Sequence, residues 1–251
     1  MRDLVAAAAR LRELHRAPGL LVLANCWDAA TAQVVEGLGF PAIATSSAAI
    51  AEAHGYEDAD VLPPDLAFAA VERIASAVTV PVTADLEAGY GLPADELVAR
   101  LLDAGAVGCN LEDSDHRGGG LVEADTHAER VAAVKRAGRA ARVDVVVNAR
   151  TDVFLRGEGT LVEQRREAVR RGRRYLEAGA DCVYPIAVAD RATIAALVEE
   201  LGGPVNILLG PAAPSLPVLR ELGVARASVG SGLFRRALAE VRRAAEELRF
   251  D

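Results

Sequence analysis

A single (β/α)8 barrel is the fold class that the sequence predicts, and three observations predict it. Short apolar runs alternate with helix-patterned stretches eight times along the 251 residues. Several of those runs end in polar or charged residues, as the strands of such a barrel do on the face that carries chemistry. No low-complexity linker interrupts them, so residues 1–251 read as one domain.

The elements follow in order. Residues about 2–16 predict a helix stopped by Pro18 and Gly19. Leu20–Cys26 is the first strand, Ala29–Leu38 a helix, and Ala42–Thr45 a strand ending in Ser46 and Ser47. A loop through His54–Asp58 leads to a helix from about Asp65 to Ala77. Then come the strand before Asp85, a helix over Ala94–Asp103, the strand around Cys109, and a glycine-rich loop, Ser114–Gly120. Helices near 125–140, 160–178, 191–201, 215–222 and 232–249 alternate with the strands Val143–Arg150, Ala180–Pro185, Pro204–Leu209 and Ala225–Gly230. Gly39, Gly105, Gly179 and Gly223 each stop a helix just before an apolar run, so the units are built alike.

Composition narrows the partners. With 36 acidic and 28 basic residues the chain carries a formal charge of -8, and its pI is ≈ 5.2. Nucleic acid and anionic membranes both call for a basic face, so a small molecule is the expected partner. Cys26, Cys109 and Cys182 are odd in number, lie in apolar runs and lack C-x-x-C spacing, which reads as buried reduced thiols. No signal core or membrane-length run is seen, and the cytoplasm is the expected location.

The chemistry centres on Val80-Pro-Val-Thr-Ala-Asp-Leu-Glu-Ala-Gly-Tyr-Gly91. A strand period of two puts Asp85 and Glu87 on one side, where two carboxylates repel unless a cation, a proton or a basic side chain joins them. Taken alone, the pair also suits a solvated turn or a helix cap. A second acidic strand end, Asn110-Leu-Glu-Asp113, favours a ligand set, and Mg²⁺ is the cation that carboxylate and water oxygens suit. The other strand ends are polar as well: Asn25 to Asp28, Thr45 to Ser47, Asn148, Arg150, Tyr184, Asn206 and Ser228.

Thr45-Ser-Ser47, Gly55-Tyr-Glu-Asp58, Pro81–Gly91, Asn110-Leu-Glu-Asp113 and Asn148-Ala-Arg-Thr-Asp152 together resemble the isocitrate lyase/phosphoenolpyruvate mutase superfamily along nearly the whole chain. The resemblance implies a barrel that uses Mg²⁺, with Mn²⁺ as a possible substitute. The implied reaction makes or breaks a C–C or P–C bond beside the oxygen of a 2-oxo or 2-hydroxy acid. It implies Asp58, Asp85, Glu87 and Glu112 as the metal's carboxylates, some through water. Ser46 and the Ser47 backbone are implied for the substrate carboxylate, and Arg150 for an oxyanion or second carboxylate. It further implies a homotetramer whose C-terminal helices are exchanged between subunits.

Two departures stand out. Glu87 occupies a position where the family commonly has Asp. The loop Asp113-Ser-Asp-His-Arg-Gly-Gly-Gly120 lacks both the lyase K-R-C-G-H and the mutase Lys with Asn-Ser. Its glycines suit a lid that brings in His116, the candidate for proton transfer, or Arg117. His54 is a weaker candidate, while His15 and His127 read as helix surface. Trp27 and Tyr90 are candidate cavity walls, and Asn206 and Ser228 candidate substrate contacts. The arginines at 165–166 and 170–174 read as a solvated, ion-paired face. Leu233, Phe234, Leu238, Val241, Leu248 and Phe250 give the last helix more apolar surface than one barrel needs.

The expected activity is a Mg²⁺-dependent C–C lyase or decarboxylase acting on a small 2-oxo or 2-hydroxy di- or tricarboxylate through an enolate. The alternatives are a phosphonomutase or phosphonopyruvate hydrolase, and a non-catalytic carboxylate-binding barrel.

Overall fold

A computed structural model of the chain describes residues 3–249. Parallel strands form two hydrogen-bonded runs. One joins β1 (Leu21–Leu23), β9 (Arg226–Ser228) and β8 (Asn206–Leu208). The other joins β2 (Asn25–Cys26), β3 (Ile43–Thr45), β4 (Val82–Asp85), β5 (Gly108–Glu112), β6 (Val146–Thr151) and β7 (Cys182–Pro185), in that order. β1 and β2 are one barrel strand interrupted at Ala24, which hands over from β9 to β3 there. A bridge between Val183 and Val205 joins β7 to the start of β8 and closes the ring. The predicted α/β barrel of eight strands is therefore present, and closure leaves it no sheet edge.

The helices fall where the apolar spacing puts them. They are α1 (Leu4–Arg16), α2 (Ala29–Gly37), α4 (Pro64–Ala77), α5 (Ala94–Asp103), α6 (Ala124–Ala140), α8 (Leu161–Glu177), α9 (Arg191–Leu201), α10 (Leu216–Glu221) and α11 (Gly232–Glu246). Two helices depart from the expected pattern: α3 (Ser47–Ala53), in place of a loop, and α7 (Val153–Arg156). Both begin at strand ends whose polar residues gave no apolar period. Asp28 is drawn into local structure, since its side chain and that of Thr31 form a reciprocal cap on α2.

Helix α1 closes the lower end of the barrel. Leu11 is fully buried, and a Cβ built on Gly108 would lie 2.7 Å from its Cδ2, 3.0 Å from the Val146 carbonyl and 3.1 Å from Thr83 Oγ1. Glycine at 108 is thus what lets the plug seat. Arg12 and Lys135 both bind the Asp181 carboxylate, at 2.8 and 2.9 Å, tying α1 and α6 to the start of β7.

Several expectations are corrected. His15 and His127 are buried, not helix surface. His15 Nδ1 donates a hydrogen bond to the Leu11 carbonyl (2.8 Å), and His127 stacks edge-on against Tyr175 with centroids 4.7 Å apart. Burial drives both imidazoles down to about 4. Arg171 leaves the solvated arginine face altogether: it is buried and pairs with Asp113 at 3.1 Å and Glu167 at 2.7 Å. In α11 only the first turn is packed, with Phe234 against Trp27 (centroids 5.2 Å), while Leu238 and Val241, and Leu248 beyond the helix end, are exposed. Phe250 and Arg2 lie outside the described residues.

Two predictions follow from this packing. Histidines that are neutral when folded and charge at about 6.5 when unfolded contribute stability above that pH and lose it as the pH falls toward 4. Urea midpoints measured from pH 7 down to 4 should therefore decline, with each buried histidine contributing up to about 3 kcal/mol of the loss. Replacing either with Gln should flatten the decline. Gly108→Ala should lower stability by about 1–3 kcal/mol through overpacking against Leu11 and the Val146 backbone. An unchanged urea midpoint for that variant would show that α1 does not seat in the barrel.

Candidate active site

The C-terminal ends of the strands surround a cavity of ≈ 390 Å³. One side is polar: Asn25 from β2, Ser46 and Ser47 after β3, Asp58, Asp85 at the end of β4 and Asn110 in β5. Arg150 of β6, Tyr184 of β7 and Ser228 of β9 continue the polar ring, and Leu155, Ile186, Leu208, Leu209 and Pro211 form an apolar rim opposite.

Asp85 is held at both oxygens. The Ser47 hydroxyl donates to Oδ2 at 2.9 Å and the Ser47 N–H at 3.3 Å, while Asn110 Nδ2 donates to Oδ1 at 3.3 Å. Ser47 thus serves the carboxylate that faces the cavity, and Ser46 Oγ accepts from Ala49 N to cap α3. Asp58 sits exposed at the cavity mouth, its carboxyl raised by desolvation and then by the Asp85 charge.

The period-of-two argument for Glu87 does not hold. β4 stops at Asp85, and Glu87 lies in a tight turn with φ 51°, as does Tyr90 with φ 54°. Gly89 between them has φ 94°, a left-handed conformation that calls for glycine, and the Arg130 guanidinium packs over it. The turn swings Glu87 inward until it is buried, with Oε2 accepting from Asp60 N at 2.5 Å and Oε1 without a hydrogen-bond partner. Desolvation, followed by the charges of Asp58, Asp60 and Asp85, pushes its carboxyl up to about 8. Asp60 is an acid of this cluster that sequence reasoning missed; only its spacing of two from Asp58 could have signalled it.

Across the barrel the charges are paired. Arg150 and Glu112 are register partners on β6 and β5, joined at 2.6 Å. Arg150 also binds Asp152 through Nε at 2.6 Å and Nη2 at 2.8 Å. Glu112 Oε1 takes a 2.6 Å hydrogen bond with His116 Nε2. Burial raises the Glu112 carboxyl, and the hydrogen bond to Glu112 raises His116. Neither His116 nor Glu112 lines the cavity; His116 connects to it through Glu112 and then Arg150. His54 is exposed and bonds the Ile50 carbonyl at 2.9 Å.

The remaining candidates are distributed unevenly. Trp27 packs on Phe234, Tyr90 packs edge-on to Phe68 at 6.3 Å, and Asn206 bonds Ser228 at 3.2 Å from within the barrel; none of the three lines the cavity. Asn25, Asn110 and Tyr184 do line it. Asn110 was readable as part of its motif but carried no assigned role.

The donor set fits a hard cation. Among the described residues no three histidine, cysteine or carboxylate side chains already converge as a ligand cluster. Asp85, Asp58 and Glu87 nevertheless offer only oxygen donors, repel one another, and include a buried oxygen with no partner. Mg²⁺, which keeps several of its waters, can be held by such a set with one carboxylate in contact and others through water.

The comparisons agree with this geometry. The family model described as phosphoenolpyruvate phosphomutase matches residues 11–249. A solved structure from Burkholderia cenocepacia J2315, provisionally named a phosphonomutase, is 38% identical with a TM-score of 0.90, covering 96% of this chain and 99% of that one. The structure of a 2,3-dimethylmalate lyase is 29% identical with a TM-score of 0.86, covering 98% of this chain and 88% of that one. Phosphonopyruvate hydrolase of Variovorax sp. (strain Pal2) is 30% identical over 88% of this chain and 79% of its own length. With the barrel, the polar strand ends and the family match in agreement, the chain belongs to the phosphoenolpyruvate mutase/isocitrate lyase superfamily and is an enzyme of that lyase and mutase type.

Proposed function

We propose that the protein is a Mg²⁺-dependent lyase or decarboxylase that cleaves a small 2-oxo or 2-hydroxy di- or tricarboxylate beside its oxygen-bearing carbon. The observation that carries this reading is the Asp85 carboxylate, facing the cavity with both oxygens held, opposite Arg150. Bound Mg²⁺ would supply a Lewis acid that lowers the energy of an enolate.

The chain's own residues do the rest. Asp85, with Asp58 and Glu87 behind it, supplies anionic oxygens on the polar side of the cavity. Arg150 offers its unused N–H groups to a substrate oxyanion, and its clamp between Glu112 and Asp152 fixes their direction. Ser46 lies within the cavity wall for the carboxylate. His116 and Glu112 hold a proton that can be passed to a carbanion or taken from a hydroxyl, once the Ser114–Gly120 loop closes. The apolar rim keeps water from the reacting carbon.

The second reading is P–C chemistry, as a phosphonomutase or phosphonopyruvate hydrolase. It is supported by the likeness to the Variovorax hydrolase and the Burkholderia structure, and by a Ser114–Gly120 loop without the lyase signature. Phosphorus NMR of a phosphonopyruvate incubation separates the two, because only P–C cleavage or migration moves that resonance. The exposed Leu238, Val241 and Leu248 support association between copies of the chain, and a monomeric mass in solution would remove the tetramer from this reading.

Two outcomes test the proposal. Asp85→Ala should abolish metal-dependent turnover, a loss of at least about 100-fold, while thermal melting stays cooperative; full activity in the variant would sink the reading. Glu87→Gln removes a repelled charge but keeps an acceptor for Asp60 N–H, so it should raise the melting temperature without metal, most at high pH where Glu87 is ionised. The same change should shrink the stabilisation that Mg²⁺ gives. An unshifted metal-free melting temperature at pH 9 would show that Glu87 is not held among like charges.

A further inference from the structure

Below the cavity lies a charged side chain that the proposed reaction does not use. Arg226 of β9 is fully buried, and among the described residues no carboxylate forms an ion pair with it. Its Nη1 is 3.4 Å from His15 Nε2 on the α1 plug, its Nη2 is 3.3 Å from Asn110 Oδ1, and its Nε has no hydrogen-bond partner. The ionisable groups that act on it are Cys182, Tyr184, Asp85 and Cys109. Burial raises the two thiols to about 12 and the phenol well above its usual value, and it lowers His15 to about 4.

An unpaired guanidinium in a barrel core is costly, and an aliphatic side chain would fill the volume better. What arginine adds is direction. It has donors and no acceptor, so Asn110 can turn only its carbonyl oxygen toward it. The same oxygen accepts from Asn148 Nδ2 at 2.8 Å, which uses its second lone pair. A flipped Asn110 would set its NH₂ against the guanidinium, which cannot accept. The amide is therefore forced to present Nδ2 to the cavity, where it donates to Asp85 Oδ1.

We propose that Arg226 is a positioning residue for the metal-binding carboxylate Asp85, acting through the amide of Asn110. This rests on the reading that Asp85 holds the metal, and partners of a ligating carboxylate usually matter about 10–100-fold in metal affinity.

The test counts free Mn²⁺ by electron paramagnetic resonance during titration of the wild type and of Asp85→Ala, Arg226→Met, Arg226→Lys and Asn110→Leu. Arg226→Met should bind Mn²⁺ at least about 10-fold more weakly while its melting temperature is unchanged or higher. Arg226→Lys, still a donor-only cation, should recover most of the affinity. The double variant Arg226→Met/Asn110→Leu should be no weaker than Asn110→Leu alone, because both changes cut one relay. A merely structural arginine would give the reverse, a lower melting temperature with wild-type affinity, and that result overturns the proposal, as do additive losses in the double variant. If Arg226→Met does not fold, Arg226→Leu replaces it, and wild-type affinity there is equally fatal. Mn²⁺ binding that survives Asp85→Ala, or is absent from the wild type, would instead remove the Asp85 site and this proposal with it.

Discussion

Arg150 carries a full charge in a place that water scarcely reaches, and the upper part of the barrel is arranged around keeping that charge paired. Glu112 meets it from the neighbouring strand and Asp152 from two residues on, with every contact near 2.6–2.8 Å. The pairing propagates. Asp152 also accepts from the Ser114 hydroxyl at 2.7 Å, and its own N–H donates to Asp113 at 2.9 Å. Asp113 in turn binds Arg171 and the Tyr175 hydroxyl of α8 at 3.1 and 2.7 Å. Removing one member would strand an uncompensated charge in low dielectric, which is why the network behaves as one rigid piece. The Ser114–Gly120 loop grows from this piece and is tied within itself through Asp115, whose carboxylate accepts from the Arg117 and Gly118 N–H groups.

The opposite wall obeys the other half of the same rule. Asp58, Asp60, Asp85 and Glu87 are crowded together, and the stabilisation they receive comes from N–H and O–H donors. Hydrogen bonds can hold carboxylates in place without cancelling their charge. A wall of crowded carboxylates facing a wall of paired charges has the polarity that would suit a cation on one side and an anion on the other. A metal-chelated carboxylate substrate has that polarity.

Support for the acids runs deep into the barrel. Barrel interiors are ordinarily filled with branched aliphatics, yet here Arg226, Asn110 and Asn148 form a buried polar column from the α1 plug to the cavity floor, and Asn206 pairs with Ser228 beside it. Packing side chains can fill the volume, but only hydrogen bonds fix which way an amide points. The column couples the seating of α1 to the aim of Asp85, and His15 sits at the junction of the two.

The sequence by itself determined the barrel, the order of its strands and the acidic and polar character of their ends, because a period of two or 3.6 and a glycine stop are local properties of the chain. The motif Pro81–Gly91 was likewise enough to single out Asp85 and Glu87. Only the tertiary structure decided what each polar residue faces. Glu87 left the expected strand face because β4 ends at Asp85 and a left-handed turn follows. Arg171 looked like its solvated neighbours until α8 turned that one position onto Asp113, and His15 and His127 became core residues for the same reason. Arg226 and Asn110 sit 116 positions apart in the chain, and no local pattern links them. Burial, pairing and orientation depend on which distant elements meet, and a linear reading does not contain that information.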